Sequence, residues 1–122
     1  PDYFANVTAR MNTFIDRTRP LHMTANALKG KVGGMVVTSG LIDCGAEETL
    51  GALDRFFATH EMLVVHPRPA GPVLASGAAA SQFAGLDDGG RVRWRRVQDD
   101  RTAFAFARQL GADMVKLIAR LG

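Results

Sequence analysis

Gly30–His66 reads GKVGGMVVTSGLIDCGAEETLGALDRFFATHEMLVVH, and its pattern decides the fold. Lys31–Val37 is a valine-rich apolar run that ends in the turn-forming Thr38-Ser39-Gly40, and Met62–His66 is a second such run. Between them, Glu47–His60 carries Leu50, Leu53, Phe56 and Phe57 on one side of a helical period. Strand, helix, strand is a βαβ unit, for which parallel strands and a right-handed crossover are expected. Both runs are apolar on each face, as in a sheet covered on both sides. The expected class is therefore α/β. Ligands of such sheets bind beyond the carboxyl ends of the strands, which directs attention to Thr38, Ser39 and Gly40.

Working outward, Val7, Met11, Phe14 and Ile15 recur at helical spacing, with Asn6 or Thr8 as the capping residue. Pro20 biases Arg19 away from helix, so this helix is expected to end near Asp16–Thr18, with an irregular or one-turn segment over Leu21–Leu28. Gly33 and Gly34 inside the first strand point to close packing of helices on the sheet. Residues 67–98 read as a long loop or insert, with a short helix near Ala78–Phe83 and an edge strand over Arg91–Val97. Residues 99–122 read as a closing helix, capped by Asp99 or Asp100, with Ala103, Phe106, Ala107, Leu110, Met114, Leu117, Ile118 and Leu121 on its buried face. Residues 1–66 then form the core that carries the site.

Composition narrows the function. The formal charge of +3 comes mainly from arginine and clusters in Arg91–Arg101, where it is mixed with Asp. That balance is too weak to argue for nucleic acid, and a solvated face is the plain reading of Arg91–Arg96. One cysteine, Cys44, excludes an internal disulfide and a cysteine-based metal site, and points to a reducing cytoplasm. No apolar run has the length of a membrane span.

Several stretches together resemble a known family. They are Pro1-Asp2-Tyr3-Phe4-Ala5-Asn6 with Phe14-Ile15-Asp16-Arg17-Thr18, then Ala27–Lys31, Gly45–Thr49 and Thr59–Met62. The pattern is similar to the flavodoxin-like NAD(P)H-dependent FMN reductases, including quinone oxidoreductases and iron–sulfur flavoproteins. The resemblance implies a three-layer sandwich with a parallel sheet, of which this chain is the C-terminal portion. It implies FMN as cofactor, NAD(P)H as electron donor, and a quinone or similar acceptor. It implies that Pro1, Tyr3, Phe4, Ala5 and Asn6 lie along the flavin ring, that Thr38, Ser39, Gly40 and Gly45 line its pyrimidine edge, that His60 approaches it, and that His22 stands on the substrate side. A homodimer or homotetramer is implied as well.

The chemistry agrees from below. Tyr3 and Phe4 can offer a flat apolar surface. Backbone N–H groups around Thr38–Gly40 can donate to ring oxygens, where reduction places negative charge. Hydride transfer is the cofactor's own chemistry, so no protein acid, base or metal is required. Ala5 stands where the family has glycine and Ala46 where it has glutamine. Those departures leave a second expectation open, a non-catalytic module of the same fold that has lost flavin.

Overall fold

The computed structural model describes residues 1–41, 44–68 and 75–122. Its elements are α1 (Ala9–Arg17), α2 (Arg19–Ala25), β1 (Val32–Gly33), β2 (Val36–Ser39), α3 (Ala46–Thr59), β3 (Leu63–Val64), β4 (Ala78–Ser81), β5 (Phe83–Leu86), β6 (Val92–Trp94) and α4 (Arg101–Leu121). The fold is α/β and flavodoxin-like.

The first apolar run forms two ladder segments, and it extends through Thr38 and Ser39, which sequence alone places in the turn. Val32 and Gly33 pair in parallel with Leu63 and Val64. Val36–Ser39 pairs in parallel with Ala78–Ser81. The carbonyls of Lys31, Gly33, Met35 and Ser39 accept from the N–H groups of Leu63, Val65, Ala78 and Gln82. Alternate carbonyls of a strand point to the same side, so β3 and β4 lie along one edge of the same strand. Val65 and Ala78 occupy neighbouring rungs, and the described residues between them, 66–68 and 75–77, lie off the ladder. The second strand is thus longer than Met62–His66, interrupted, and resumed. The helix expected near Ala78–Phe83 is instead this resumed strand: Ala78 and Ala80 are buried, Ala79 is exposed and Ser81 half-buried. That two-residue alternation is what a sheet edge requires.

Helices cover both faces. α3 packs on the face of Gly33, Met35 and Val37, where Met35, Val37, Ala46 and Leu50 form the core with Leu53, Phe57 and Val64 against it. α4 packs on the opposite face. A Cβ at Gly33 would stand 2.9 Å from the Phe57 ring, and one at Gly34 2.7 Å from the Met114 sulfur. Both glycines therefore admit a helix, as expected. At Gly77, where the chain re-enters the ladder, a Cβ would lie 2.7 Å from the Met35 carbonyl oxygen.

α1 begins at Thr8, whose Oγ1 accepts from the Met11 N–H at 3.2 Å. Arg19–Ala25 is a seven-residue helix, where an irregular or one-turn segment is expected over Leu21–Leu28, because Pro20 sits in its first turn, where a missing N–H costs nothing. It ends on Asn26 in the left-handed conformation. Neither α1 nor α2 buries a residue completely. At the far end of α3, Glu61 accepts from the Lys29 ammonium at 2.5 Å and from Asn26 Nδ2 at 2.7 Å. The Lys29 hydrogen bond holds the Glu61 carboxyl below its usual range. This tie is therefore present at neutral pH and is lost as pH falls through that lowered value.

The insert beyond β4 is not all loop. β5 and β6 form an antiparallel hairpin, with Phe83 opposite Trp94 and Leu86 opposite Val92. Two side chains bolt it to the sheet. Arg95 Nε donates to the Ser81 carbonyl at 3.0 Å, and Asp100 Oδ2 accepts from the Ser81 N–H at 3.1 Å. Arg95 and Asp100 also pair at 2.6 Å, and Asp100 Oδ1 caps α4 by accepting from the Ala103 N–H. These two side chains take the place of a further strand at the β4 edge. In α4, Ala103 and Leu110 are buried and Phe106, Ala107, Met114 and Leu117 half-buried, whereas Ile118 and Leu121 at its end are exposed.

Asp100→Ala removes the cap, the edge acceptor and the ion pair at once. Urea unfolding should show a loss of about 2–4 kcal/mol, and Arg95→Ala, whose side chain is the more exposed of the pair, a smaller one.

Candidate functional site

Three pieces of chain meet at the carboxyl end of β2. The Pro1–Asn6 turn lies against it through the Asp2 N–H, which donates to the Thr38 carbonyl at 2.7 Å. The buried Asp2 carboxylate accepts from the Asn6 N–H and from Thr49 Oγ1 in the first turn of α3, both at 3.1 Å. Asp2 thereby joins the first turn, the strand tip and the helix start. Sequence reasoning missed Asp2 and Thr49. The available signal was an Asp placed to receive its own turn's N–H groups.

The same turn touches the α3 start. Gly45 has φ +93°, and a Cβ there would fall 2.2 Å from Ala5 Cβ and 2.3 Å from Ala5 Cα. Phe4 and Ala5 have φ of +52° and +58°, conformations that cost a non-glycine residue roughly 1–2 kcal/mol each. That pair of left-handed residues thrusts the Phe4 side chain wholly into solvent, with Tyr3 65% exposed beside it. The N–H groups of Phe4, Ala5 and Gly40 donate to no described residue. Ser39 is buried, and its Oγ donates to the Leu41 carbonyl at 2.6 Å. Ile42 and Asp43 lie outside the described residues.

The structure thus brings Tyr3–Asn6 together with Thr38–Gly40 and Gly45. An exposed aromatic pair beside backbone donors that no described residue engages suits the ring of a flavin, which needs a flat surface and donors at its carbonyl edge. A cleft of about 550 Å³ adjoins the tip on the β4 side, bounded by Ser39, Ala46, Ala79, Asp100 and Phe106. It shares Ser39 and Leu41 with the second turn and runs on past the start of α3 at Ala46 and Glu47.

His60 and His22 are elsewhere. His60 follows the last residue of α3, a 14-residue helix that begins at the turn pair, and so stands about 20 Å from it. The expectation that His60 approaches the same flavin as Tyr3 and Thr38 is not met within the chain. The reason is topological: the helix returns to the amino end of the strands. His60 is buried, with Nε2 2.9 Å from Thr18 Oγ1. Thr18 Oγ1 donates its own proton to the Ile15 carbonyl at 2.6 Å, so His60 donates through Nε2, and the buried Nδ1 has no hydrogen-bond partner among the described residues. Its ring meets Phe56 at 4.9 Å and His22 at 5.6 Å. The histidine pair ties the end of α3 to α1 and α2, beside a cavity of about 470 Å³.

Comparison with known proteins gives the family. The family model for NADPH-dependent FMN reductases matches residues 1–83. The chain belongs to that family. An iron-sulfur flavoprotein of Methanocaldococcus jannaschii is 38% identical over 98% of this chain, and an iron-sulfur flavoprotein of Archaeoglobus fulgidus 31% identical over 96%. The chain spans 58% and 55% of the lengths of those relatives. As a member of the FMN reductase family it is related to flavin-dependent oxidoreductases, and the matched region contains both turns.

Ala5→Gly should stabilise the protein by about 1 kcal/mol by relieving its left-handed strain. Gly45→Ala should destabilise it by about 2 kcal/mol or more, since the added methyl meets backbone. Urea midpoints of the two variants, moving in opposite directions, check the contact.

Proposed function

We propose that this chain forms the ring-binding side of an FMN-dependent oxidoreductase that takes electrons from NAD(P)H and delivers them to a quinone or similar planar acceptor. The observation that carries the reading is the contact of the Asp2–Asn6 turn with Thr38 and Gly45 at one strand tip. When bound, FMN supplies the hydride and electron chemistry. The chain's own residues orient and tune it. Tyr3 and Phe4 present apolar area to the ring, and the N–H groups of Ala5 and Gly40, which donate to no described residue, face the edge where negative charge collects. Those donors are fixed by backbone geometry, so they need no rearrangement during reduction. Pro1 and Asn6 frame the turn, and the Asn6 side chain accepts from the Val7 N–H at 2.8 Å.

The relatives are named as iron–sulfur proteins. Cys44 is exposed and is this chain's one cysteine, whereas a cluster needs several thiolates, so no cluster is assigned to these residues. Self-association is part of the proposal: Met11 and Phe14 on α1 and Leu21 and Met23 on α2 are exposed apolar side chains on helices that bury little. No helix among the described residues is long and apolar enough to cross a membrane.

A second reading, a module of this fold without flavin, is favoured by Ala46, a buried apolar residue at a position where the family resemblance implies a polar ring contact. One titration separates the two. The whole protein should quench FMN fluorescence on binding at micromolar concentration, bleach the flavin absorbance when NADPH or NADH is added, and recover it with a quinone. A protein that binds no flavin at that concentration sinks the oxidoreductase reading, and binding without reduction by either nucleotide removes the donor assignment.

A further inference from the structure

Trp94 is the only tryptophan of the chain, and it stands beside the strand tip. Its six-membered ring, at Cζ3, is 3.9 Å from where a Gly40 Cβ would be, in ordinary van der Waals contact. The residue is nonetheless 60% exposed, and no described aromatic ring packs on it. Its position is held firmly. The Gln82 N–H donates to the Ser39 carbonyl at 3.1 Å, and the Arg95 N–H donates to the Gln82 carbonyl at 2.8 Å. The Arg95 guanidinium is fixed in turn by Ser81 and Asp100. The hairpin therefore continues β4, is hydrogen-bonded at its base to the β2 tip, and cannot swing away without breaking that set.

The edges matter. The Tyr3–Phe4 turn is attached through the Thr38 carbonyl, on one edge of β2, whereas the hairpin is attached through Ser39, on the other. Strands lie ~4.8 Å apart, so the two flanks stand ~10 Å from each other across the tip. That matches the length of a three-ring system lying over the Gly40 N–H.

We propose that Trp94 is a third aromatic wall of the flavin site, abutting the pyrimidine end of the ring on the side opposite Tyr3 and Phe4. There it keeps water from the edge at which the backbone donors act, which strengthens them. Leu86 and Val92 extend the same apolar side of the hairpin, and Arg93 alternates to the other side. The inference rests on the FMN reading given above.

The test is to incorporate 5-fluorotryptophan into the whole protein and follow the fluorine resonance that Trp94→Phe removes. Titration with FMN should shift that resonance, and reduction of the flavin with dithionite should shift it again. Trp94→Ala should bind FMN about three- to tenfold more weakly, Trp94→Phe nearly as well as the parent, and Arg93→Ala as well as the parent. Far-ultraviolet circular dichroism of each variant shows whether it is folded, and the resonance in the parent protein decides the matter even where Trp94→Ala is not. A resonance unmoved by bound FMN, in either oxidation state, overturns the role of Trp94 while leaving the flavin reading intact. A parent protein that binds no FMN removes both.

Discussion

One row of carbonyl oxygens, on alternate residues from Lys31 to Ser39, organises the molecule. Everything on the β3–β4 side hangs from it: the strand that leaves at Val65, its continuation from Ala78, and the hairpin that starts at Gln82. Because these bonds lie in one line, the flanking helices meet a nearly continuous surface, and α3 and α4 can each press on it through a glycine. The Thr38 carbonyl, pointing the other way, receives the Asp2 turn. The site is where the two directions of hydrogen bonding end, side by side.

Much of this was legible in the residues. The βαβ unit, the close-packed Gly33 and Gly34, the edge strand near Trp94 and the α4 face up to Leu117 all follow from period and composition. The interrupted strand did not, because Ala78-Ala79-Ala80 carries no β-branched side chain and reads by propensity as helix; the free edge of β2 overrode it. α2 was hidden by Pro20, which breaks a helix from within and starts one from its first turn. The two turns were identifiable by family pattern, but their union depends on Asp2, whose partners are set by tertiary contact.

His60 shows how a correct helix can still mislead about a site. Its position at the end of α3 follows from the sequence, and so does its distance from the start. A helix that begins at the carboxyl end of one parallel strand must finish at the amino end of the next. Gly45 and His60, drawn together by the family pattern, are kept apart by fourteen residues of α3. The histidine's hydrogen bond to Thr18 and its contact with Phe56 give it a packing role that accounts for its burial.

The break in the ladder between Val65 and Ala78 has an evolutionary reading. The chain exits and returns at fixed rungs, and lengthening such an excursion costs only ~0.6 kcal/mol per doubling in closure entropy. Descendants could therefore graft new surface at this port, for another electron carrier or another subunit, while the strand tip kept its shape. The toll is confined to one re-entry residue: Gly77, pressed against the Met35 carbonyl, is the hinge-pin that such a graft would have to preserve.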